Sequence, residues 1–232
     1  MSLNFLPRLH RYTLLLVSTA TLVAVPGAIV KADPVPPTEH HPETLAQQSI
    51  LYVNPNTGTD SPNAGADELA PLRSITYALE RASSGTTIQL APGQYTAESF
   101  PLQLKPGVTL QGDDMQQGRG VVIEGGGHYS SRTFLGQNVA IVAAENSEIS
   151  GVTVTNPNVR GSGVWVESTQ ATIRNSTFTN NHREGLFVTG SGRVLVENNR
   201  FIENGGNGIS LAKDASGEIR GNLFERTGYG IA

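Results

Sequence analysis

The chain has no cysteine among its 232 residues, so disulfide bonds cannot stabilise it and a packed core has to do so. Aromatic residues make up only 6% and charged residues only 16%, and no long helical charge pattern is present. Glycine and proline are plentiful instead, with 26 and 13 residues, and 38% of the chain is apolar. This composition favours a β protein with many turns.

Basic residues are also in the minority. The formal net charge is −4, and residues 1–32 hold three of the 16 basic residues and no acidic one. The remainder therefore carries 13 basic against 20 acidic residues. A protein that binds nucleic acid needs a basic surface to neutralise phosphates, so we expect no nucleic-acid partner.

The N-terminus has the pattern of a secretory signal peptide. Arg8, His10 and Arg11 precede an apolar run at 14–25 that is short for a membrane span, and small residues suited to signal peptidase stand in VKA at 30–32. We therefore predict that residues 1–32 are a signal peptide and that the protein is secreted, periplasmic or on the cell surface. The alternative is an uncleaved N-terminal anchor. No other stretch is apolar and long enough to contact a membrane after cleavage.

A repeat with a period near 23 residues occupies the second half of the chain. Its copies are ISGVTVTNPNVRGSGVW (149–165), IRNSTFTNNHREGLF (173–187), VENNRFIENGGNGIS (196–210) and IRGNLFERTGYGIA (219–232). Three columns keep this spacing: Ile149, Ile173, Val196 and Ile219; Val154, Phe178, Phe201 and Phe224; and Gly163, Gly185, Gly208 and Gly230. The segment at 196–210, which is rich in asparagine and glycine, is thus one turn of a repeating structure.

A period of this length is typical of leucine-rich repeats or of a parallel β-helix. The segment after each aromatic, such as IENGGNG, lacks the spaced apolar residues that a helix would bury, so we predict an all-β parallel solenoid with about 23 residues per coil. Glycine and asparagine tolerate the positive φ of tight turns, which predicts a turn column of Gly151, Asn175, Asn198 and Gly221. Asparagines one period apart predict amide ladders at three pairs: Asn175 with Asn198, Asn199 with Asn222, and Asn181 with Asn204.

The region before the repeat predicts a cap and a first set of strands. In SITYALERA (74–82) the apolar residues follow a helical period, with Ser74 as N-cap. Such a helix covers the open core of a first coil. LYVNPNTGTDSPNAG (51–65), PLRSITYALERASSGTTIQLAPGQY (71–95) and GVTLQG (107–112) together resemble the N-terminal signature of pectin lyase-like right-handed parallel β-helix proteins, and within them an uncharacterised family of exported bacterial domains.

This resemblance implies a right-handed, single-stranded parallel β-helix. The superfamily includes polysaccharide lyases, glycoside hydrolases and surface proteins without enzymatic activity. Its substrate groove follows the strand that opens each coil, here GVWVE, GLFVT and GISLA. Trp165 and Phe187 fall in one outward column of these strands, so we expect an exposed aromatic platform that binds sugar rings. The alternatives are a loop that covers both rings, or a protein contact.

Candidate catalytic residues stand at the ends of the same strands. A lyase of this superfamily uses a basic residue to remove a proton, for which Lys213 is the best candidate, and a cation such as Ca²⁺ to neutralise the uronate. Glu167, Glu184 and Asp214 are the best acids, and a hydrolase would require two of them to face each other. No metal site and no cofactor is evident. Arg174, Glu197 and Arg220 form an outward column that we interpret as a surface charge ladder.

The domain organisation follows from these assignments. Residues 33–48 are rich in proline and form a linker, and residues 49–232 form the β-helix. Because the last repeat opens a coil at Gly230 without a cap, we expect the chain to continue beyond Ala232, or the open coil to associate with another copy.

The sequence is compatible with two functions. The first is an exported β-helix that binds polysaccharide along its groove, with cleavage by lyase or hydrolase chemistry undecided. The second is a non-catalytic, adhesin-like solenoid that makes protein contacts.

Overall fold

The computed structural model describes residues 49–232, and the predicted signal peptide and linker lie outside them. No helix in this part of the chain is long and apolar enough to span a membrane. The elements follow in chain order as β1 (Ile50–Val53), α1 (Ile75–Arg81), β2 (Thr87–Leu90), β3 (Gly93–Tyr95), β4 (Leu102–Gln103), β5 (Thr109–Gln111), a 3₁₀ turn (Asp114–Gln116), β6 (Val121–Glu124), β7 (Gly127–Ser131), β8 (Leu135–Val142), β9 (Ser147–Ser150), β10 (Thr153–Thr155), β11 (Gly161–Glu167), β12 (Gln170–Arg174), β13 (Thr177–Thr179), β14 (Leu186–Thr189), β15 (Arg193–Glu197), β16 (Arg200–Ile202), β17 (Ile209–Leu211), β18 (Ser216–Arg220) and β19 (Leu223–Glu225).

The strands form three parallel sheets, and each coil contributes a strand to each sheet in turn. Sheet A has the order β1-β2-β5-β9-β12-β15-β18, sheet B the order β3-β6-β10-β13-β16-β19, and sheet C the order β4-β8-β11-β14-β17. Within the described residues, β7 and β8 form the only antiparallel pair. The predicted parallel β-solenoid is therefore confirmed.

The apolar columns predicted from the repeat lie inside the coils. Ile149, Ile173, Val196 and Ile219 pair in register across sheet A, and Val154, Phe178, Phe201 and Phe224 do so across sheet B. The rings of Phe178, Phe201 and Phe224 stack with centroids 5.0 and 5.2 Å apart. Phe178 and Phe201 are wholly buried. These columns form a continuous core along the solenoid axis.

The glycine column is explained by this stack of rings. A Cβ atom at Gly185 would lie 2.7 Å from the Cδ1 atom of Phe201, and one at Gly208 would lie 2.6 Å from Cδ1 of Phe224. Real Cβ atoms do not approach other heavy atoms this closely, so glycine is required where each coil turns towards sheet C over the phenyl rings.

Two of the three predicted asparagine ladders are present, whereas Asn175 and Asn198 serve as turn residues with positive φ. Asn181 Nδ2 donates to Asn204 Oδ1 at 2.8 Å, and Asn199 Nδ2 donates to Asn222 Oδ1 at 3.0 Å. The predicted turn column has positive φ throughout, at Gly151, Asn175, Asn198 and Gly221. The buried amides thus satisfy backbone and side-chain groups of neighbouring coils.

The predicted capping helix is confirmed as α1. Ser74 is its N-cap and accepts a hydrogen bond from the backbone N–H of Tyr77 at 3.1 Å. Ile75, Ala78 and Leu79 are buried in the core, where the helix packs against β1, β2 and β4 at the first-coil end of the sheets. The helix therefore shields the core of the first coil from solvent.

The predicted charge ladder forms only in part. Arg220 makes an ion pair with Glu197 at 2.7 Å, as its register predicts. Arg174 instead pairs with Glu148 at 2.6 Å and with Asp114 at 3.1 Å, because the 3₁₀ turn brings Asp114 next to it. The column itself is present, since Arg174 lies in register with Glu197, but the ion pairs of Arg174 are made with Glu148 and Asp114 instead.

Candidate functional site

A hairpin lies over the outer face of sheet C. Strand β7 pairs antiparallel with the first half of β8, with Gly127 opposite Val139 and Ser131 opposite Leu135. We call residues 127–139 the covering hairpin. It is an insertion into one coil, since the neighbours Ile123 and Val154 in sheet B are 31 residues apart, whereas Val154 and Phe178 are 24 apart. The repeat pattern contains no counterpart of this insertion, so it was not predicted.

The two aromatics of the predicted platform stack on each other but are not exposed. Trp165 and Phe187 are in register, with ring centroids 4.3 Å apart and planes 6° from parallel. Trp165 is 0% and Phe187 7% exposed. Tyr129 and Phe134 of the covering hairpin cover them, and Phe134 lies 5.1 Å from Phe187. The prediction of an exposed platform is therefore wrong, and the covering loop is the correct alternative.

Glu167 fastens the covering hairpin to sheet C. Its carboxylate accepts hydrogen bonds from the hydroxyls of Tyr129 and Ser131, each at 3.0 Å, and from the backbone N–H and hydroxyl of Thr133, each at 2.8 Å. The Thr133 hydroxyl also lies 3.0 Å from that of Thr189 on β14. Glu167 is thus an anchoring residue, and both of its carboxylate oxygens accept hydrogen bonds from the covering hairpin.

These hydrogen bonds affect the protonation states of Glu167 and Tyr129. Burial would raise the pKa of Glu167, but the hydrogen bonds from Thr133, Tyr129 and Ser131 stabilise the carboxylate and lower its pKa below 4.5 overall. Burial, followed by the hydrogen bond to Glu167, raises the pKa of Tyr129 to about 12. Glu167 is therefore ionised at neutral pH, whereas a general acid must carry a proton there.

Glu184 is also tied into the structure. Its side chain is 7% exposed, accepts a hydrogen bond from the Ser162 hydroxyl at 3.0 Å and pairs with Arg183 at 3.2 Å. Arg183 in turn donates to Gln137 Oε1 of the covering hairpin at 3.3 Å. The two glutamates that sequence reasoning considered as an acid pair thus have separate structural partners.

Lys213 and Asp214 follow β17 at the other end of the sheet C strands. Both side chains are exposed, and Lys213 Nζ lies 5.5 Å from the ring centroid of Phe134. No group of three or more aspartate, glutamate or histidine residues that could hold a metal ion occurs among residues 49–232. Lys213 therefore lies at the edge of the hairpin rather than within a cluster of acids.

An open groove runs beside the covering hairpin. It has a volume of about 330 Å³ and is lined by His128, Gly136, Gln137, Asn138, Val159 and Arg160. His182 accepts a hydrogen bond at Nδ1 from the backbone N–H of Arg160 at 3.3 Å, and Arg183 contacts Gln137. We call this the basic groove: His128 and Arg160 line it, and His182 and Arg183 contact its lining residues Arg160 and Gln137. His128 reaches this groove only because it belongs to the covering hairpin, which has no counterpart in the repeat.

A known family includes this chain. A family model described as "Protein of unknown function (DUF1565)" matches residues 56–232, and the chain belongs to this family. No curated protein matches the chain. Among solved structures it is similar to "Crystal structure of pectate lyase Pel9A", with 16% identity and a TM-score of 0.36. That alignment covers 72% of this chain and 60% of the other, so the chain spans less than two thirds of it. The parallel β-helix itself is shown by the three parallel sheets of stacked coils.

Proposed function

We propose that the protein binds an acidic polysaccharide in the basic groove beside the covering hairpin. The observation that carries this proposal is the charge of the open groove. Arg160 and His128 line it, and Arg183 reaches its Gln137 wall. The guanidinium group is suited to carboxylates because it donates paired hydrogen bonds in a fixed geometry.

The groove also suits a linear ligand. Arg160 precedes β11, and His182 and Arg183 precede β14, so these cations lie on neighbouring coils. Parallel coils are about 4.8 Å apart, and a charged chain lying along the solenoid axis would meet the basic residues of these two coils in succession. Glu167 is engaged by the hairpin and Glu184 pairs with Arg183, so Arg160 is the arginine of this group that makes no ion pair among the described residues.

Binding is better supported than cleavage. Glu167 and Glu184 would have to release their structural partners before they could act on a sugar. Lys213 remains the candidate base for a lyase reaction, with Ca²⁺ as the cation that would neutralise a uronate. Export through the N-terminal signal would bring the protein to extracellular polysaccharides.

Calorimetric titration with a galacturonate oligomer tests the proposal. We expect saturable binding that weakens with salt, and a loss of about tenfold in affinity for Arg160→Gln because one charged contact is removed. Arg193→Gln is the matched control, since Arg193 is exposed on sheet A away from the groove. Equal affinities of the two variants would refute the site. Assays for unsaturated products with and without Ca²⁺, using Lys213→Ala, then separate lyase activity from binding.

A further inference from the structure

We propose that a second groove, on the outer face of sheet A, binds an uncharged oligosaccharide. The groove has a volume of about 790 Å³ and lies at the first coils, between residues 54–71 and the 3₁₀ turn. Its size falls within the range of small-ligand sites. It lies on a different sheet from the basic groove and is independent of the function proposed for that site.

The floor of this groove is one outward column of sheet A. Tyr52, Gln89 and Gln111 are in register on β1, β2 and β5. Gln89 Nε2 donates only long hydrogen bonds, at 3.4 Å, to the carbonyl oxygens of Gln111 and Gly112. An aromatic ring and two amides on one flat surface can therefore meet the face and the hydroxyls of a sugar ring together.

The walls are apolar and exposed. Leu69 on one side and Met115 on the other are each 93% exposed, and Pro71 and Pro92 line the groove between them. Exposed apolar side chains that cluster around a polar floor indicate a binding site, whereas single exposed apolar side chains are common on any protein surface. The C–H faces of pyranose rings are the complementary ligand surface.

The charge of the lining selects against an acidic ligand. Glu68, Asp113 and Asp114 line the groove, and no lysine, arginine or histidine does so in the described part of the chain. A uronate would be repelled here, whereas a neutral sugar hydroxyl can donate a hydrogen bond to a carboxylate. The groove therefore has the opposite preference to the basic groove.

Two buried polar atoms beside the floor have no protein partner. Ser150 is next to Gln111 in the same outward column, is 0% exposed, and its Oγ has no partner among the described residues. Asp114 uses Oδ2 to pair with Arg174, while its buried Oδ1 has no partner in that part of the chain. Buried polar atoms are usually hydrogen-bonded, and an ordered water is the partner that can reach atoms closed to a larger ligand, so the groove has a polar, hydrated floor.

The test is a calorimetric titration of the full chain with linear neutral hexasaccharides of glucose, mannose, xylose and galactose. We expect one of them to bind saturably, and Gln111→Ala to weaken that binding about tenfold through loss of an amide contact. Tyr52→Leu serves as a second variant, with thermal melting to show that each is folded. Gln170→Ala is the matched control, because Gln170 is an exposed glutamine of the same sheet outside the groove.

Further measurements distinguish this site from the basic groove. Trp165 is the only tryptophan and lies under the covering hairpin, so its emission should respond to ligands at sheet C and remain unchanged when the neutral sugar binds. A galacturonate oligomer should not compete, and Arg160→Gln should leave the neutral sugar's affinity unchanged. The proposal is overturned if no neutral hexasaccharide binds, if Gln111→Ala binds as well as the unaltered protein, or if Ca²⁺ alone occupies the groove.

Discussion

Two aromatic stacks follow the coil spacing of this solenoid, and they are buried by different means. The inner stack of Phe178, Phe201 and Phe224 lies within the coils, whose sheets enclose it. The outer stack of Trp165 and Phe187 lies outside sheet C and is enclosed by the covering hairpin. Equal spacing in the sequence therefore identifies residues that are neighbours in a column. Whether an outward column is buried depends on a segment from elsewhere in the chain.

The largest expected effect is on the inner stack. Phe201→Ala should reduce the free energy of unfolding by about 3–5 kcal/mol, because the enclosed coil cannot collapse into the cavity. Chemical denaturation measures the loss. Phe134→Ala is the control, since Phe134 is 38% exposed on the hairpin and its removal leaves a site open to solvent. A loss at Phe201 no greater than that at Phe134 would contradict the assignment of an inner stack.

Truncation of a ring in the outer stack should reduce the free energy of unfolding by a smaller amount. We expect Phe187→Ala to cost about 2–3 kcal/mol, because the hairpin side chains can settle into part of the space. Hydrogen exchange should rise mainly in residues 127–139, whereas Phe201→Ala should raise it throughout the coils. Uniform exchange in the Phe187→Ala variant would show that the two stacks are not separate units.

The asparagine ladder beside the inner stack supports it with hydrogen bonds. Asn204 donates to the carbonyl oxygen of Phe178 at 3.0 Å and accepts from Asn181 at 2.8 Å. Asn204→Ala leaves both groups buried without these partners, and we expect a loss of about 2 kcal/mol in thermal or chemical unfolding. Asn158→Ala, at an exposed position, is the matched control. Equal stability of the two variants would exclude a structural ladder.

The coil architecture was predictable because its signals are local and repeated. The positions of Ile173, Phe178 and Gly185 recur in each coil, so both the core columns and the turns follow from one period. The helix at 75–81 was predictable from its cap and apolar spacing. These features require no knowledge of contacts between distant segments.

The candidate site was predictable only in part. Trp165 and Phe187 were correctly placed as neighbours, but their burial depends on Tyr129 and Phe134 in an insertion that has no repeat. Arg174 lies in its predicted column opposite Glu197, but it forms an ion pair with Asp114, which lies 60 residues earlier in the chain. Each error comes from a long-range contact, and the 31-residue interval before Val154 was the one sequence signal of the insertion.

The smallest expected loss of stability comes from replacing Glu167, which anchors the covering hairpin over the outer stack. Glu167→Gln replaces one accepting oxygen by an amide N–H₂ group, so the bonds from Tyr129, Ser131 and Thr133 cannot all form. We expect a loss of about 1 kcal/mol in stability and a red shift of Trp165 emission as the hairpin loosens.

The same residue makes the outer stack sensitive to acid. The pKa of Glu167 is lowered in the folded state, so its contribution is fully present above about pH 4.5 and is lost as the pH falls through the lower folded value. Trp165 emission should therefore shift to the red below pH 4.5 in the unaltered protein, before the coils unfold. Glu167→Gln should show the shifted emission at neutral pH and no further change over that range. A shift of the same size in both proteins would assign the acid response to another carboxylate and leave the hairpin held by its aromatic contacts alone.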